Sequence, residues 1–254
     1  MDSHVEIDRI DPASADSSVL EGVYQVISAS DQLDNPGAPA TTFATAIGRL
    51  NDPQPNLGPV RRWVARRDGR VVGLAALYFP EAENSHLSLL QLTVHPDARR
   101  NHIGTAILRA ITPEVRAHDR TVLECWNITK GSAGTSFATA LGFEVVSTTV
   151  CQTLSIGDVD RSAWEVEPAA GYRLHTWHGA APDELVASYA VARRAIADSP
   201  FGRSALRFPA WTVDRVRESE AESRRREIDH RVVAVVREDS DQVVTAVVNA
   251  CMSR

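Results

Sequence analysis

The fifteen residues from Val94 to Leu108, "VHPDARRNHIGTAIL", place a proline, two arginines, a histidine and one glycine between the apolar run "LSLLQLT" and an amphipathic segment. A strand that gives way to a helix at such a turn leaves several backbone N–H groups with no partner inside the helix, and these carry the positive end of its dipole. That is the chemistry of an anion site. Gly104 would let a ligand approach the backbone closely, Arg99 and Arg100 add charge, and Thr105 offers a hydroxyl. The same residues could also form an ordinary strand-to-helix loop with solvated arginines.

The segments around this turn must position it. "HVEIDRI" alternates as a strand, and "DSSVLEGVYQVISAS" and "TTFATAIGRL" carry helical apolar faces. "VRRWVARRDGRVVGLAALYF" reads as a hairpin turning at Asp68-Gly69. The strand "HLSLLQLTV", the helix "GTAILRAITPEVRAH", the strand "TVLECWNI", the helix "TSFATALGF" and the strand "EVVSTTVCQTLSI" complete the order β-α-α-β-β-β-α-β-α-β. This is a mixed α/β fold, a largely antiparallel central sheet flanked by helices. Residues 157–170 lack sustained periodicity and read as a linker. Beyond them the pattern restarts after about 170 residues. "GYRLHTWHG" is a strand, "PDELVASYAVARRAI" and "WTVDRVRESEAESRRRE" are helices, and "HRVVAVVREDSDQVVTAVVNA" is a hairpin. The opposite charges of the second of these helices describe a solvated face.

Composition narrows the function. A chain of 254 residues with 43% hydrophobic residues holds one full domain and something smaller, and a net charge of −6 with mixed signs argues against a nucleic-acid surface and favours a cationic or neutral substrate. Cys125, Cys151 and Cys251 have no metal-ligand spacing and are odd in number, which reads as small buried residues in a reducing cytoplasm. The opening residues have neither a basic stretch nor an apolar core, and no later run has the length of a membrane span. A soluble cytoplasmic protein with no bound metal is expected.

The run "VHPDARRNHIG" resembles the acetyl-CoA-binding signature V-x-P-x-x-R-x-x-G-x-G/A of the GNAT (Gcn5-related) N-acetyltransferases, matched by Val94, Pro96, Arg99 and Gly104. The family's second signature is matched by Asn127, Phe137, Leu141, Gly142 and Phe143, and the derived element order is that of the GNAT fold. "DNPGAP", Glu83-Asn84, Gly171-Tyr172 and "PDELV" resemble actinobacterial tandem-GNAT proteins similar to mycothiol synthase. The resemblance implies a complete GNAT domain over 1–156, the linker 157–170, and over 171–254 an incomplete second domain without the CoA-binding strand and helix.

It further implies that the strands "LSLLQLTV" and "TVLECWNI" splay apart so that the pantetheine arm of acetyl-CoA pairs with the backbone near Leu92 and Val94. The pyrophosphate would rest on the N–H groups of Arg100, Asn101, His102, Ile103, Gly104 and Thr105, with Asn127 and Phe137 completing the donor site. A backbone N–H would polarise the thioester carbonyl, and an amine, most simply that of a small molecule, would attack directly. Glu83 and His86 are the candidate bases, with Gln91 on the same strand; His95 reads as structural.

Two departures stand out. His102 replaces the loop's first glycine, and Ala138 stands where many members carry the tyrosine that protonates the thiolate. They keep open an alternative, a catalytically weak or inactive CoA-binding pseudoenzyme. Trp63, Tyr78 and Trp126 could line an acceptor pocket, with core packing the simpler role. The unfinished repeat leaves "DQVVTAVVNA" as a potential open edge, to be covered by the first domain or by a homodimer partner.

Overall fold

The computed structural model describes residues 5–51, 57–150, 152, 154–160, 162, 167–199 and 201–252. It separates into two compact units, the first comprising Met1–Ser147 with Arg203–Arg207 and the second Thr148–Gly202 with Phe208–Arg254. The five residues Arg203–Arg207, expected to lie within the C-terminal repeat, therefore belong with the first unit.

The first unit is a five-stranded sheet in the order β1-β2-β3-β4-β5. Strands β1 (Val5–Ile10), β2 (Val60–Arg67), β3 (Arg70–Tyr78) and β4 (Leu87–Val94) pair antiparallel, and β5 (Val122–Cys125) lies parallel to β4. The hairpin turns where the sequence places it, with Asp68 and Gly69 both left-handed at φ 52° and 74°, the twist that a two-residue reversal between right-twisted strands requires.

Each face of this sheet has its own cover. Helix α3 (Ile103–Ala117) buries Ile103, Ile107, Ile111 and Val115 against Trp63, Ala65, Ala75, Leu77 and Leu90. That four-residue spacing keeps all of them on one helical stripe. On the opposite face, α1 (Ser17–Asp34) and α2 (Phe43–Asn51) pack Val23 and Leu50 against Val64 and Leu74. Beside them a second cluster gathers Leu57, Ala76, Tyr78, Leu87 and Leu89, with Ala205 and Leu206 packed on it. Trp63 and Tyr78 are thus core residues.

After α4 (Ala133–Ala140) the sequence predicts a strand over 144–156, and the structure differs. Residues 143–150 have no regular structure, and Cys151 and Thr153 lie outside the described residues. The reason is local to β5, which stops at Cys125 just before left-handed Asn127 at φ 61°, so it offers too short an edge for another long strand. Val146 instead accepts a hydrogen bond from the Arg203 N–H at 2.7 Å.

The second unit repeats the opening of the first. Strands β6 (Tyr172–His178), β7 (Ile228–Arg237) and β8 (Gln242–Met252) form an antiparallel sheet in that order, with α5 (Asp183–Arg194) and α6 (Val213–Arg225) between β6 and β7 in the chain. Leu185, Val186, Tyr189 and Val216 pack on Val232, Ala234 and Val236. No described helix is long and apolar enough to cross a membrane.

Candidate active site

The pairing of β4 with β5 runs from Leu87↔Val122 to Leu90↔Cys125 and then ends, although β4 continues to Val94. Gln91 to Val94 therefore keep β3 as their neighbour on one side and lose β5 on the other. The sheet opens into a fork whose apex is the Leu90/Cys125 pair. Leu92 and Val94 stand on its β4 arm, and Asn127 follows the β5 arm.

At the mouth of the fork lies the turn that joins β4 to α3. A short 3-10 turn, Pro96–Ala98, is capped by His95, whose Nδ1 accepts from the Asp97 N–H at 3.3 Å, so His95 is structural as expected. Arg100 and His102 are both left-handed, at φ 66° and 57°, a conformation that disfavours a non-glycine residue by roughly 1–2 kcal/mol. The Asn101 side chain ties the turn down by donating to the carbonyls of Ala98 and Arg99 at 3.2 and 3.0 Å. The loop tolerates histidine in place of glycine. The first bond of α3 runs from the Ala106 N–H to the His102 carbonyl, which leaves the N–H groups of Ile103, Gly104 and Thr105 without a partner in the helix. Left-handed residues in such turns bring successive N–H groups to bear on a common concavity, a form that binds anions.

The Arg99 side chain turns away from that concavity. It donates from Nη1 and Nη2 to the two oxygens of Asp34 at 3.0 and 2.6 Å, from Nη2 to Ser30 Oγ at 3.4 Å, and from Nε to the Val94 carbonyl at 3.2 Å. Ser30, 4% exposed, donates to that same carbonyl at 3.3 Å. Arg99 therefore pins the loop to the end of α1, while Arg100 is exposed.

Gly104 also has a different reason for its smallness than the close ligand approach expected of it. A Cβ there would sit 3.0 Å from Cζ of Phe137, so the missing side chain makes room for an aromatic ring of α4 at the start of α3. Helix α4 begins at Ser132, whose hydroxyl accepts from the Thr135 N–H at 3.4 Å. It ends in a Schellman motif that explains "LGF" physically. Gly142, at φ 84°, donates to Thr139 at 3.0 Å, and Phe143 donates to Ala138 at 3.1 Å.

Glu83 and His86 are not brought to the fork. His86 precedes Gln91 by five residues on an extended strand, a separation of ~16 Å, and Glu83 lies further back in a 3-10 turn. The Nε2 of His86 meets the Ala205 carbonyl at 3.1 Å. A carbonyl only accepts, so Nε2 carries the proton there. Next to it the Asn84 amide pairs with the Arg207 backbone in both directions, at 2.9 and 2.7 Å. Sequence reasoning missed Glu124, the buried carboxylate one residue before the fork apex on β5. It accepts from Ser204 Oγ at 2.8 Å and from the Ala205 N–H at 2.5 Å, with Trp126 Nε1 at 3.4 Å. Asn84 and His86 thus flank, and Glu124 anchors, the short segment 203–207.

The electrostatics favour neutral groups at the apex. Burial, and then the Glu124 carboxylate, push the Cys125 thiol up to about 11, which leaves it an inert thiol at neutral pH. Burial also raises the Tyr78 hydroxyl, against a smaller lowering by the nearby Arg62. Arg62 is 6% exposed, and its Nε and Nη2 find no hydrogen-bond partner among the described residues. Among those residues, no three His, Cys, Asp or Glu side chains gather as a metal-binding group.

The comparisons with known proteins agree with this geometry. Residues 32–143 match the model of the acetyltransferase (GNAT) family. The chain is similar to a tandem GNAT protein from the clavulanic acid biosynthesis pathway, solved without acetyl-CoA, at 22% identity and a TM-score of 0.72 over 99% of this chain and 75% of that one. An acetyltransferase from Trypanosoma brucei matches at 16% identity and a TM-score of 0.43, over 59% of this chain and 100% of that one. A ribosomal-protein-alanine N-acetyltransferase from Brucella melitensis biovar Abortus matches at 15% identity and a TM-score of 0.45, over 59% and 99%. No curated protein matches the chain. Residues 32–143 thus resemble the GNAT acetyltransferases in sequence, and the chain shares the fold of a tandem GNAT protein.

Proposed function

We propose that the first unit holds acetyl-CoA in the β4/β5 fork and transfers its acetyl group to the amine of a small-molecule acceptor. The observation that carries this reading is the fork itself, which leaves the β4 arm from Gln91 to Val94 with an unpaired side just where an extended thioester arm could pair. The N–H groups of Arg100 to Thr105 hold the pyrophosphate, with the start of α3 supplying the positive end of its dipole. Leu92 and the N–H of Val94 offer backbone to the pantetheine, and Asn127 and Phe137 border it. The amine attacks the thioester carbonyl, the carbon–sulfur bond breaks in the collapse of the tetrahedral species, and CoA leaves as thiolate.

Proton transfer rests on water rather than on a dedicated side chain. Glu83 and His86 precede β4, at its end away from the fork, and Ala138 has no hydroxyl with which to protonate the thiolate. A general acid or base typically contributes about 10²–10⁴-fold, so slow turnover is expected. The same two features favour the second reading, a CoA-binding protein without turnover. Calorimetric titration with acetyl-CoA, followed by thiol release over a panel of amines, separates the readings. Binding with release supports transfer, binding without release supports the second reading, and absence of binding removes both.

A further inference from the structure

The strand registers place Ile10, Arg62, Ala76 and Gln91 side by side across β1, β2, β3 and β4, all on the sheet face that α1 and α2 cover. This row runs between the two apolar clusters of that face and ends at Gln91, the first residue past the fork apex. Arg62 is its charged member. It is 6% exposed, and the two nitrogens without a partner among the described residues, Nε and Nη2, are those of one edge of the guanidinium. That edge carries two parallel N–H donors at the spacing of the two oxygens of a carboxylate. A buried cation whose donors face no acceptor is unfavourable unless something else satisfies them. The methyl of Ala76 is all that separates Arg62 from Gln91 along the row, across two strand spacings, ~10 Å.

We infer that Arg62 is the carboxylate-binding residue of the acceptor site, and that the acceptor is a small amino acid whose carboxylate and attacking amine are a few bonds apart. The acceptor's carboxylate would take the Nε/Nη2 edge, and its amine would reach toward the fork. The inference rests on the reading of the fork as the transfer site. A zwitterionic amino acid is also consistent with a chain of net charge −6, which does not repel it.

The test compares glycine, β-alanine and γ-aminobutyrate with ethylamine, propylamine, ethanolamine and phosphoethanolamine as acceptors, read as CoA thiol release by the full chain and by two variants. The wild type should prefer a carboxylate-bearing acceptor over its matched amine by roughly 100-fold in kcat/KM, the scale of a desolvated two-donor contact to a charge. Arg62→Met should abolish that preference without changing the KM for acetyl-CoA, and Arg62→Lys, which keeps a cation but loses the two-donor edge, should retain only a small part of it. Equal use of the matched amines, preference for phosphoethanolamine, or an unchanged preference in Arg62→Lys overturns the assignment. If no amine is acetylated, the transfer reading fails, and the site is judged by thermal unfolding alone. The three amino acids should then raise the Tm of the wild type and leave that of Arg62→Lys nearly unmoved, and equal shifts, or none, overturn the carboxylate site.

Discussion

The two units begin alike and end differently. Each has a strand, two helices and a hairpin, with the helices packed on one face of the sheet, as Val23 and Leu50 do on Val64 and Leu74 and as Leu185 and Val216 do on Val232 and Ala234. In the first unit the other face is sealed by α3, whose Ile107 and Ile111 are fully buried. In the second, the other face presents Leu174 at 55%, Val233 at 39% and Val247 at 61% exposure. The opening strand, helices and hairpin are thus common to both units, and the first unit adds further elements C-terminal to them. Strand β4, the turn after it and α3 supply at once the fork, the N–H groups left over at the helix start and the second core face.

The difference between those two faces should produce the greatest loss on mutation. Ile107→Ala removes a fully buried side chain from the first unit's core and should cost about 2–5 kcal/mol, whereas Val247→Ala should change stability by no more than about 0.5 kcal/mol, both read by denaturant unfolding. Comparable losses would mean that the second face is sealed as well.

Next comes the loop. Gly104→Val should displace Phe137 and reduce acetyl-CoA binding beyond detection in a calorimetric titration, because a Cβ there already lies 3.0 Å from the ring. Asp34→Ala should weaken that binding by roughly tenfold, by releasing Arg99 from its two-oxygen clamp and so loosening the loop. An unchanged affinity in Asp34→Ala would mean that the loop holds its shape without α1.

Weaker still is an acid sensitivity local to the first unit. His118 stacks on Phe79 with ring centroids 4.1 Å apart, and burial, with Arg61 and Arg120 nearby, lowers its pKa. The unfolded chain then takes up the proton first, so this contribution is complete above the unfolded value of about 6.5 and declines as pH falls through it. His118→Phe should flatten that part of a Tm-against-pH curve. A slope unchanged by the substitution would assign the acid sensitivity to other groups.

How much was legible in the sequence depends on the range of the interactions. Asp68-Gly69 and the helical stripes are fixed by neighbours a few residues apart, and each lies where the residue pattern puts it. Val145, Val146, Thr148, Thr149 and Val150 suit the strand expected over 144–156, but a strand also needs a long partner edge, and β5 has four residues. Glu83 and His86 resemble a base by residue type and by their place before β4. Their distance from the apex depends on where β5 stops, which residue type does not reveal. Arg62, Glu124 and the segment 203–207 act through contacts between distant parts of the chain, and a buried arginine looks no different in sequence from Arg67 or Arg70 at the hairpin turn.

Whether the single fork of the first unit is the donor site is decided by calorimetric titration of the full chain with acetyl-CoA, run beside Gly104→Val. Saturation at one acetyl-CoA per chain is expected in the wild type, with no detectable binding in the variant. Two equivalent sites per chain, or undiminished binding in Gly104→Val, would place the donor elsewhere and overturn the assignment.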